Sequence, residues 1–484
     1  GRSFGCPTNA GAAGTFYDVI PQRLIVNNHN LSTVTDTLLF EFPNHPLWAN
    51  IYIQDHARAS VPLLWSRLQV RGQLSLSHGA ILSFGLVNYA LSEFELLSEE
   101  LLMSDSIYGS LRMSVKIQLM LNSKMLIDGD GDAIVATSLL EVSNLVVLKG
   151  SSVIQSNANL EVHGQGSLNL TGPGDLIEAQ HLVLSLFYSI NVGPGSILRG
   201  PLENAGVNHT TRLFCGHSNC PIELIYPTED CNVNSSLSFT LQVCRVEDVL
   251  VEGFLEGSVV HFHLVRTVIV KSTGSISASG LGCTEGLGSG VLLPNGLSSG
   301  AGHGGRGGDA YFNGSYIRGG VSYGDAGLPC ELGSGSGNHS FPSSTAGGGV
   351  IVMGSLKHSL TRLSVYGSIQ ADGESFGKYS TEEDSRVLSG IGPGGGSGGT
   401  ILLFFQSLVL GNSSTISTMG GHGSPNGGGG GGGRIHFHWS DISVGDEYLP
   451  ITSVKGTINV GFVSNLVYIL IVYLEFTCLV SFSW

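Results

Sequence analysis

The sequence predicts an all-β protein built as a right-handed parallel β-helix, or β-solenoid, whose repeats are joined by long glycine-rich loops. Three observations predict it: a short repeated strand pattern, a larger repeated unit in the second half, and an unusual composition. The chain has 71 glycines and 42% apolar residues, but only 12% charged residues. Disordered glycine-rich chains are usually poor in apolar residues, so this balance favours ordered β-structure with glycine at the bends.

The short pattern is Gly-small-(Ile/Leu)-x-x-x-Gly. It occurs as GAILSFG, GSLNLTG, GSISASG and GSIQADG, with weaker copies GSILRG, STISTMG and GTINVG. Each copy alternates apolar and polar residues in its middle, which predicts a strand closed by a turn residue. In a stack of coils the apolar position would face inward. The residues predicted to share this inward stack are Ile81, Leu168, Ile197, Ile276, Ile369, Ile416 and Ile458.

The larger unit is a strand, a short link, a second strand ending in glycine, and a glycine loop. Its first strands begin at Val259, Val350, Thr400 and Arg434. Glycine blocks at 347–349, 394–399 and 427–433 stand directly before the last three of them. Because glycine adopts backbone angles forbidden to other residues, we expect these blocks to be flexible corners. The loop 281–349 is long enough that we expect part of it to be disordered.

The predicted organisation has three parts. Residues 1–250 carry degenerate repeats interrupted by a cysteine-rich insertion at 213–244, and residues 251–461 carry the repeats with glycine-rich loops. Residues 462–484 form an apolar tail, which is interpreted either as a membrane span or as an aberrant end. Only 92–106 has helix-favouring composition and spacing. The opening GRSFGCPTNAGAAGT has neither an initiator Met nor a signal peptide and reads as the start of a fragment.

Cysteines and sequons both favour the secretory pathway. We expect two disulfides within the group Cys215, Cys220, Cys231 and Cys244, with three possible connectivities, and a third between Cys283 and Cys330. Asn-x-Ser/Thr sequons predict N-glycosylation. They occur at Asn30, Asn169, Asn208, Asn234, Asn313, Asn338 and Asn412.

The net charge argues against one class of partner. The chain has 22 Lys and Arg against 37 Asp and Glu, giving a formal charge of -15, and it has no Lys/Arg cluster. An acidic chain of this kind is a poor candidate for nucleic-acid binding. No phosphate-loop pattern follows the glycines either, because no Gly-Lys-Ser/Thr is present.

Two His-x-His pairs are the strongest metal candidates. His261 and His263 share one face of a strand, as do His436 and His438, and imidazole binds zinc or copper. If the two pairs lie on the first and fourth strands of a stack, roughly 14 Å separates them, too far for one ion. The sequence therefore favours solvent-facing strand histidines over a metal site, and no cofactor is expected.

Two further motifs are weaker. The alternating acids Asp128, Asp130 and Asp132 resemble the front of a calcium loop but lack the later Glu, which favours an Asp-Gly turn. The triplet GHG at 302–304 and at 421–423 also occurs in polygalacturonases, which need grouped aspartates as acid and base. The nearest acids here are Asp309 and Asp446, without such a group, so we expect no catalysis.

Several segments resemble the large glycine-rich transmembrane proteins of plants, some of which carry an ephrin-receptor-like label. They include SFGCPTNAGAAGTFYD, LWANIYIQDHARASVPLLWSRLQV, LIEAQHLVLSLFYSINVGPGSILRGPLEN, PTEDCNVNSSLSFTLQVCRVEDVLVEG and GAGHGGRGGDAYFNGSYIRGGVSYGDAGLPCELGSGSGN. The resemblance covers residues 1–457 and ends where this chain departs after Thr457. It implies an extracytoplasmic β region that full-length members continue with a cysteine-rich segment and several membrane spans. It implies no catalytic residues.

The sequence therefore predicts a non-enzymatic protein on the extracytoplasmic side of a membrane, with a structural or recognition role at the plant cell surface. Cell-wall polysaccharide or another surface protein is the expected partner, and membrane association is expected through the full-length chain. The alternative is a carbohydrate-active β-helix enzyme acting on wall polysaccharide.

Overall fold

The computed structural model describes most of the chain between residues 11 and 461. The described residues are 11–39, 48–61, 67–78, 80–84, 95–103, 106–108, 112–121, 124–127, 137–201, 215, 220–229, 231, 239–293, 296–337, 344–377, 392–439, 452–454 and 456–461. The apolar tail 462–484 and most of the cysteine-rich insertion 213–244 lie outside them. The chain divides into two compact units, which are Gly1–Leu202 with Val233–Ser235 and Cys244–Gly253, and Glu203–Asn232 with Ser236–Val243 and Phe254–Trp484.

Strands make up almost all of the regular secondary structure, as predicted. The strands of the first unit are β1 (Thr15–Asp18), β2 (Arg23–Asn27), β3 (Thr37–Leu38), β4 (Asn50–Gln54), β5 (Arg58–Val61), β6 (Arg67–Gln69), β7 (Gln73–Ser77), β8 (Ile81–Phe84), β9 (Glu95–Met103), β10 (Ser106–Tyr108), β11 (Arg112–Leu121), β12 (Lys124–Ile127), β13 (Thr137–Lys149), β14 (Val153–Gly164), β15 (Ser167–Leu170), β16 (Leu176–Ser185), β17 (Ser189–Val192) and β18 (Ile197–Gly200).

The helix α1 and the remaining strands for which the structure gives bounds follow in chain order, and Cys244–Val251 of β19 belongs to the first unit. They are α1 (Ile222–Ile225), β19 (Leu241–Val251), β20 (Phe254–Gly257), β21 (Val259–Val270), β22 (Ser275–Ser277), β23 (Ala310–Phe312), β24 (Ser315–Ile317), β25 (Val350–Met353), β26 (Leu360–Val365), β27 (Ser368–Gln370), β28 (Thr400–Leu410), β29 (Thr415–Ser417), β30 (Arg434–Trp439), β31 (Thr452–Val454) and β32 (Thr457–Asn459).

The first unit is a set of parallel strands that pair with strands one repeat further along the chain. Strands β1 and β2 pair antiparallel. One row of Cα partners joins seven successive strands in register and is buried wherever its side chains are described. It runs through Ala59, Leu82, Ile107, Met125, Ile154, Ile177 and Leu198. A second row runs through Val146, Leu168, Ile190 and Val249.

In the second unit each repeat contributes strands to three parallel rows. The first row is the start of β21, then β25, the start of β28, and β30. The second is the end of β21, then β26, the end of β28, and β31. The third is β20, β22, β27, β29 and β32. The predicted first strands and glycine-closed strands are therefore present as the first and third rows, with a glycine-rich segment before the next first strand. The predicted short link is wrong, because the strands of the second row lie there.

The predicted inward stack is right at most of its positions and wrong at two. Leu168 is buried in its row, and Ile276, Ile369 and Ile416 are buried Cα partners of one another in the third row of the second unit. Ile458 continues that row at its end and is half-buried.

At the two wrong positions the inward residue is the next one along the chain. Ile81 and Ile197 are half-buried, while Leu82 and Leu198 are fully buried in the row. Because side chains alternate between the faces of a strand, an error of one residue in register moves a residue to the other face. Each of these copies carries two apolar residues in succession, so its pattern fits either register.

The helix-favouring composition of 92–106 does not produce a helix in its described residues. These residues form β9 and the first residue of β10. Strand β9 pairs in parallel with β11, where Glu95 is the partner of Arg112 and Met103 the partner of Met120. Backbone pairing on both sides of β9 outweighs the weak helical preference of its residues.

The glycine blocks are ordered, hydrogen-bonded segments, so the prediction of flexible corners is wrong. We define the glycine bundle as the runs 298–308, 394–399, 418–424 and 427–433. In the run 394–399, successive amides donate in three directions that repeat every third residue. Gly395 and Gly398 donate to the carbonyl oxygens of Gly428 and Gly431, both at 2.9 Å. Gly396 and Gly399 donate to the residues Glu374 and Ala371, at 3.0 and 2.7 Å.

The run 427–433 repeats this arrangement. Gly428 and Gly431 donate to one neighbouring run, at Ser298 and Ala301, while Gly430 and Gly433 donate to another run, at 2.8 and 2.7 Å. Three residues per turn is the period of a polyproline II helix, which makes no hydrogen bonds within itself. These two runs therefore have the three-residue period of an extended helix, and their amides donate to neighbouring segments, both inside and outside the bundle. The described parts of the loop 281–349 contribute several of these bonds.

The outer face of the first row in the second unit is buried as well. A cluster of apolar side chains covers it, drawn from β21, β25 and β28 and from segments outside the rows. The covering residues include Leu224 of α1, Leu332 and Phe239. These strands are therefore apolar on both faces, which is typical of strands enclosed in parallel sheets.

Candidate functional site

A two-stranded hairpin, β23 and β24, forms the candidate site. Its turn is Asn313-Gly314, and both residues have positive φ, 46° and 79°. Positive φ at both central residues is the requirement of a type I′ turn, and Asn-Gly is a preferred pair for it. The sequence therefore fixes this turn locally. Antiparallel pairing places Tyr311 opposite Tyr316, and Ala310 opposite Ile317.

One face of the hairpin is packed against the protein. Ala310 and Ile317 are buried and form a small cluster with Leu297, against which Leu293 also packs. The amide of Tyr311 donates to the carbonyl oxygen of Asn426 at 3.3 Å. These contacts anchor the hairpin to the segment that leads into the run 427–433.

The other face presents two tyrosines to solvent. Tyr311 is 63% exposed and Tyr316 is 59% exposed. Directly opposed side chains on one face of an antiparallel pair lie about 5 Å apart at Cβ. Two neighbouring aromatic rings therefore form an exposed, partly apolar face, which we call the tyrosine face.

Asp309 orders one edge of the tyrosine face. It accepts hydrogen bonds from the Tyr316 hydroxyl, from the Gly319 amide at 2.7 Å and from Arg306 Nη2 at 3.0 Å. The hydrogen bond from Tyr316 is the main cause that lowers the pKa of Asp309, followed by the bond from the Gly319 amide. The same bond to Asp309 raises the pKa of Tyr316. Tyr316 is thus held in place as a neutral phenol beside a carboxylate.

The sequence contains a local signal for this site, separate from the strand repeats. The segment AYFNGSYI places Asn-Gly between two short runs rich in β-branched and aromatic residues, which is a strong short-range hairpin signal. Which face is exposed could not be read from the sequence, because both strands are aromatic and only the contacts of Ala310 and Ile317 decide it.

The histidines of the first row are not solvent-facing, which corrects the prediction. His261, His263 and His436 are buried, and His438 is half-buried. The outer cluster covers β21, the strand that carries His261 and His263. The ring of His261 stacks on Phe239 with centroids 4.7 Å apart, and the Gln242 amide nitrogen lies 3.2 Å from His261 Nδ1.

Burial, with a smaller contribution from His263, lowers the pKa of His261 to about 3. Burial also lowers the pKa values of His436 and His438. The two pairs stand on β21 and β30, the first and fourth strands of the row, as the separation argument assumed. Across the described residues, no three His, Cys, Asp or Glu side chains are grouped to hold a metal ion. The acids Asp128, Asp130 and Asp132 lie outside those residues.

The two GHG triplets lie in the glycine bundle. His303 is fully buried; its Nδ1 lies 2.8 Å from the carbonyl oxygen of Gly398, and its ring packs beside Tyr323. Because a carbonyl only accepts, Nδ1 carries the proton. Burial lowers the pKa of His303 to about 4, although the bond to Gly398 opposes this. His422 is exposed. Asp446 lies outside the described residues, and Asp309 is engaged in the hairpin network.

All six candidate cysteines are disulfide-bonded. The expected pairing is wrong, because Cys215 pairs with Cys283 and Cys220 with Cys330. The bonds join the insertion to the glycine-rich loop instead of closing each segment on itself. The sulfur atoms lie in the outer apolar cluster. Six disulfide-bonded cysteines indicate an oxidising compartment, extracellular or secretory.

The sequons fall into two structural classes. Asn30, Asn313 and Asn412 are exposed at turns. Asn169 lies within β15, where its Oδ1 accepts a hydrogen bond of 2.6 Å from Asn191 of the paired strand. The sequons at Asn208, Asn234 and Asn338 lie outside the described residues.

No protein-family model matches this sequence, and no curated protein resembles it closely enough to count as a match. Within the described residues, no helix has the length and apolar character needed to cross a bilayer.

Proposed function

We propose that this chain is the non-enzymatic, extracytoplasmic region of a membrane-associated glycine-rich protein of plants, and that it recognises cell-wall polysaccharide through the tyrosine face. The proposed architecture is a right-handed parallel β-helix. The three parallel rows of the second unit and the in-register rows of the first unit support it. The disulfides support the extracytoplasmic location.

The observation that carries the polysaccharide proposal is the exposed pair Tyr311 and Tyr316 on an anchored hairpin. Isolated exposed apolar residues are ordinary, but two adjacent tyrosines with one hydroxyl locked by Asp309 are an ordered surface. A tyrosine loses little conformational entropy on binding, because it has only two side-chain torsions.

The chemistry of this surface suits a sugar ring. A pyranose has apolar C–H faces that can stack on an aromatic ring and hydroxyls at its rim. Tyrosine offers the matching combination of an apolar body and a polar tip. Asp309 supplies hydrogen-bond acceptors at the edge of the same face.

Calorimetric titration with oligosaccharides from wall polysaccharides tests the proposal. We expect the wild type to bind and both Tyr311→Ala and Tyr316→Ala to bind at least about fivefold more weakly, because an aromatic anchor often contributes more than 1 kcal/mol. Tyr188→Ala is the matched control, since Tyr188 is 61% exposed and lies in the other unit. Equal binding by all four proteins would remove the tyrosine face from the proposal.

A second measurement addresses the enzymatic alternative and the membrane association. Release of new reducing ends from polysaccharide by the purified protein would overturn the non-enzymatic proposal. Fractionation of tagged full-length protein tests membrane association, and recovery in the soluble fraction would contradict it. Capture of a surface protein through the same tyrosines, with no sugar bound, would favour the other partner.

A further inference from the structure

We propose that Arg318 makes the tyrosine face selective for polysaccharides whose sugars carry carboxylates, that is, uronic acids. The inference rests on the polysaccharide binding proposed above and names the class of sugar. It follows from the position of Arg318 and from the charges around it.

Arg318 stands directly beside the tyrosine face. It follows Ile317, which is buried against Leu297, and it is itself exposed. Tyr316 and Arg318 therefore flank a residue that anchors the strand. Its guanidinium acts electrostatically on both Asp309 and Tyr316, as does that of Arg306.

The charges at this edge do not cancel. Arg306 is paired with Asp309 at 3.0 Å. Among the described residues no carboxylate forms an ion pair with Arg318. Two guanidinium groups against one carboxylate leave a positive edge, and the unpaired member is available to a ligand.

A guanidinium beside an aromatic ring is well suited to a uronic acid. Its planar fork can bind a carboxylate through two parallel hydrogen bonds, which neutral sugars cannot reciprocate. The tyrosine rings would stack on the sugar while Arg318 donates hydrogen bonds to the carboxylate. Because the chain as a whole carries -15, long-range attraction to a polyanion is absent, and such selectivity has to come from this local group.

The test compares a charged ligand with its neutral methyl ester. They are α-1,4-linked tetragalacturonate and its methyl ester, titrated into wild type, Arg318→Gln and Arg266→Gln. We expect the wild type to bind the acid roughly two- to fivefold more tightly than the ester, the range of a solvent-exposed ion pair. Arg318→Gln should bind both as the wild type binds the ester. Arg266 is an exposed arginine on β21, so its variant should keep the preference.

Each outcome separates this inference from the proposed function. Equal affinity of the wild type for acid and ester, or an acid preference that survives in Arg318→Gln, overturns the selectivity and leaves polysaccharide recognition standing. Failure of the wild type to bind either ligand or any neutral wall oligosaccharide overturns the proposed function itself. Loss of the preference in Arg266→Gln as well would assign it to general charge and not to Arg318.

Discussion

The strand rows and the glycine bundle of the second unit form an ordered, hydrogen-bonded interior in two different ways. In the third row, side chains alternate with a period of two, and Ile276, Ile369 and Ile416 bury one face. In the bundle, hydrogen bonds repeat with a period of three, and most residues have no side chain to bury. Both regions pair every backbone run with its neighbours. The comparison shows that glycine-rich sequence can build an ordered interior as well as a bend.

The two regions differ in what stabilises them. Each buried aliphatic side chain of a strand row contributes about 1.5 to 3 kcal/mol. A glycine in the bundle contributes no such burial and loses more backbone entropy on folding than other residues. Hydrogen bonding offsets this loss of entropy. The missing Cβ lets adjacent backbone runs approach closely, so that an amide reaches a carbonyl of the next segment. A strand row therefore depends on apolar side chains, whereas the bundle depends on their absence.

The largest effect should come from a charge placed in a strand row. Ile369 is fully buried, so Ile369→Asp buries a carboxylate without a partner and should lower the free energy of unfolding by about 4 kcal/mol or more. Gln370→Asp, on the half-buried opposite face of β27, is the matched control and should have a small effect. Denaturant unfolding measures both variants. An Ile369→Asp protein as stable as Gln370→Asp would break the row assignment.

A glycine-to-alanine substitution, which adds one methyl group, distinguishes a tightly packed bundle from an ordinary loop. A Cβ on Gly430 would lie 1.9 Å from the Gly396 carbonyl oxygen, whereas one on Gly429 meets only the Gly421 oxygen at 3.9 Å. We expect Gly430→Ala to cost about 1 to 3 kcal/mol through overpacking. Gly429→Ala should be neutral or stabilising by up to about 1 kcal/mol. Thermal unfolding of the two variants decides, and similar melting temperatures would mean that these runs are the flexible corners first expected.

The smallest expected effect is on how the free energy of unfolding depends on pH in the two regions. His261 in a strand row and His303 in the bundle have pKa values lowered to about 3 and about 4 by burial. The unfolded chain, with a histidine pKa near 6.5, therefore takes up protons first as the pH falls. Each histidine's contribution is complete above pH about 6.5 and is lost by about 1.4 kcal/mol per pH unit below it.

Variants isolate the two histidines. His261→Gln and His303→Gln should each show a shallower loss of stability between pH 6 and pH 4.5 than the wild type. His422→Gln, at an exposed position in the bundle, is the control. Unfolding free energies that run parallel to the wild type across this range would mean that neither imidazole is enclosed as described.

Much of the strand framework was readable from the sequence. The order of first strands and glycine-closed strands in the second half follows from alternation and turn residues, which act locally. The prediction gave only short links where the second strand row lies. The register failed at Ile81 and Ile197, where two apolar residues in succession leave the inward choice to the neighbouring coil. The helix-favouring composition of β9 is misleading for a related reason, since the strand depends on pairing with β11, which lies outside the segment.

The candidate site also combines features set by neighbouring residues with features set by distant contacts. The Asn313-Gly314 turn is dictated by its own two residues, and the sequence alone could have found it. The exposure of Tyr311 depends on Ala310 and Ile317 finding Leu297, which no local pattern states. The burial of His261 depends on a covering segment brought over it by contacts distant in the chain, to which Cys215–Cys283 and Cys220–Cys330 belong.

By itself, the sequence determined that this protein consists of short parallel strands separated by glycine blocks, because alternation and turn chemistry are properties of neighbouring residues. Only the tertiary structure decided that the glycine blocks pack into hydrogen-bonded runs. It also decided which cysteines pair with each other and which histidines are enclosed. Those outcomes depend on backbones from distant segments approaching closely enough to exclude a Cβ, a condition that no single segment records.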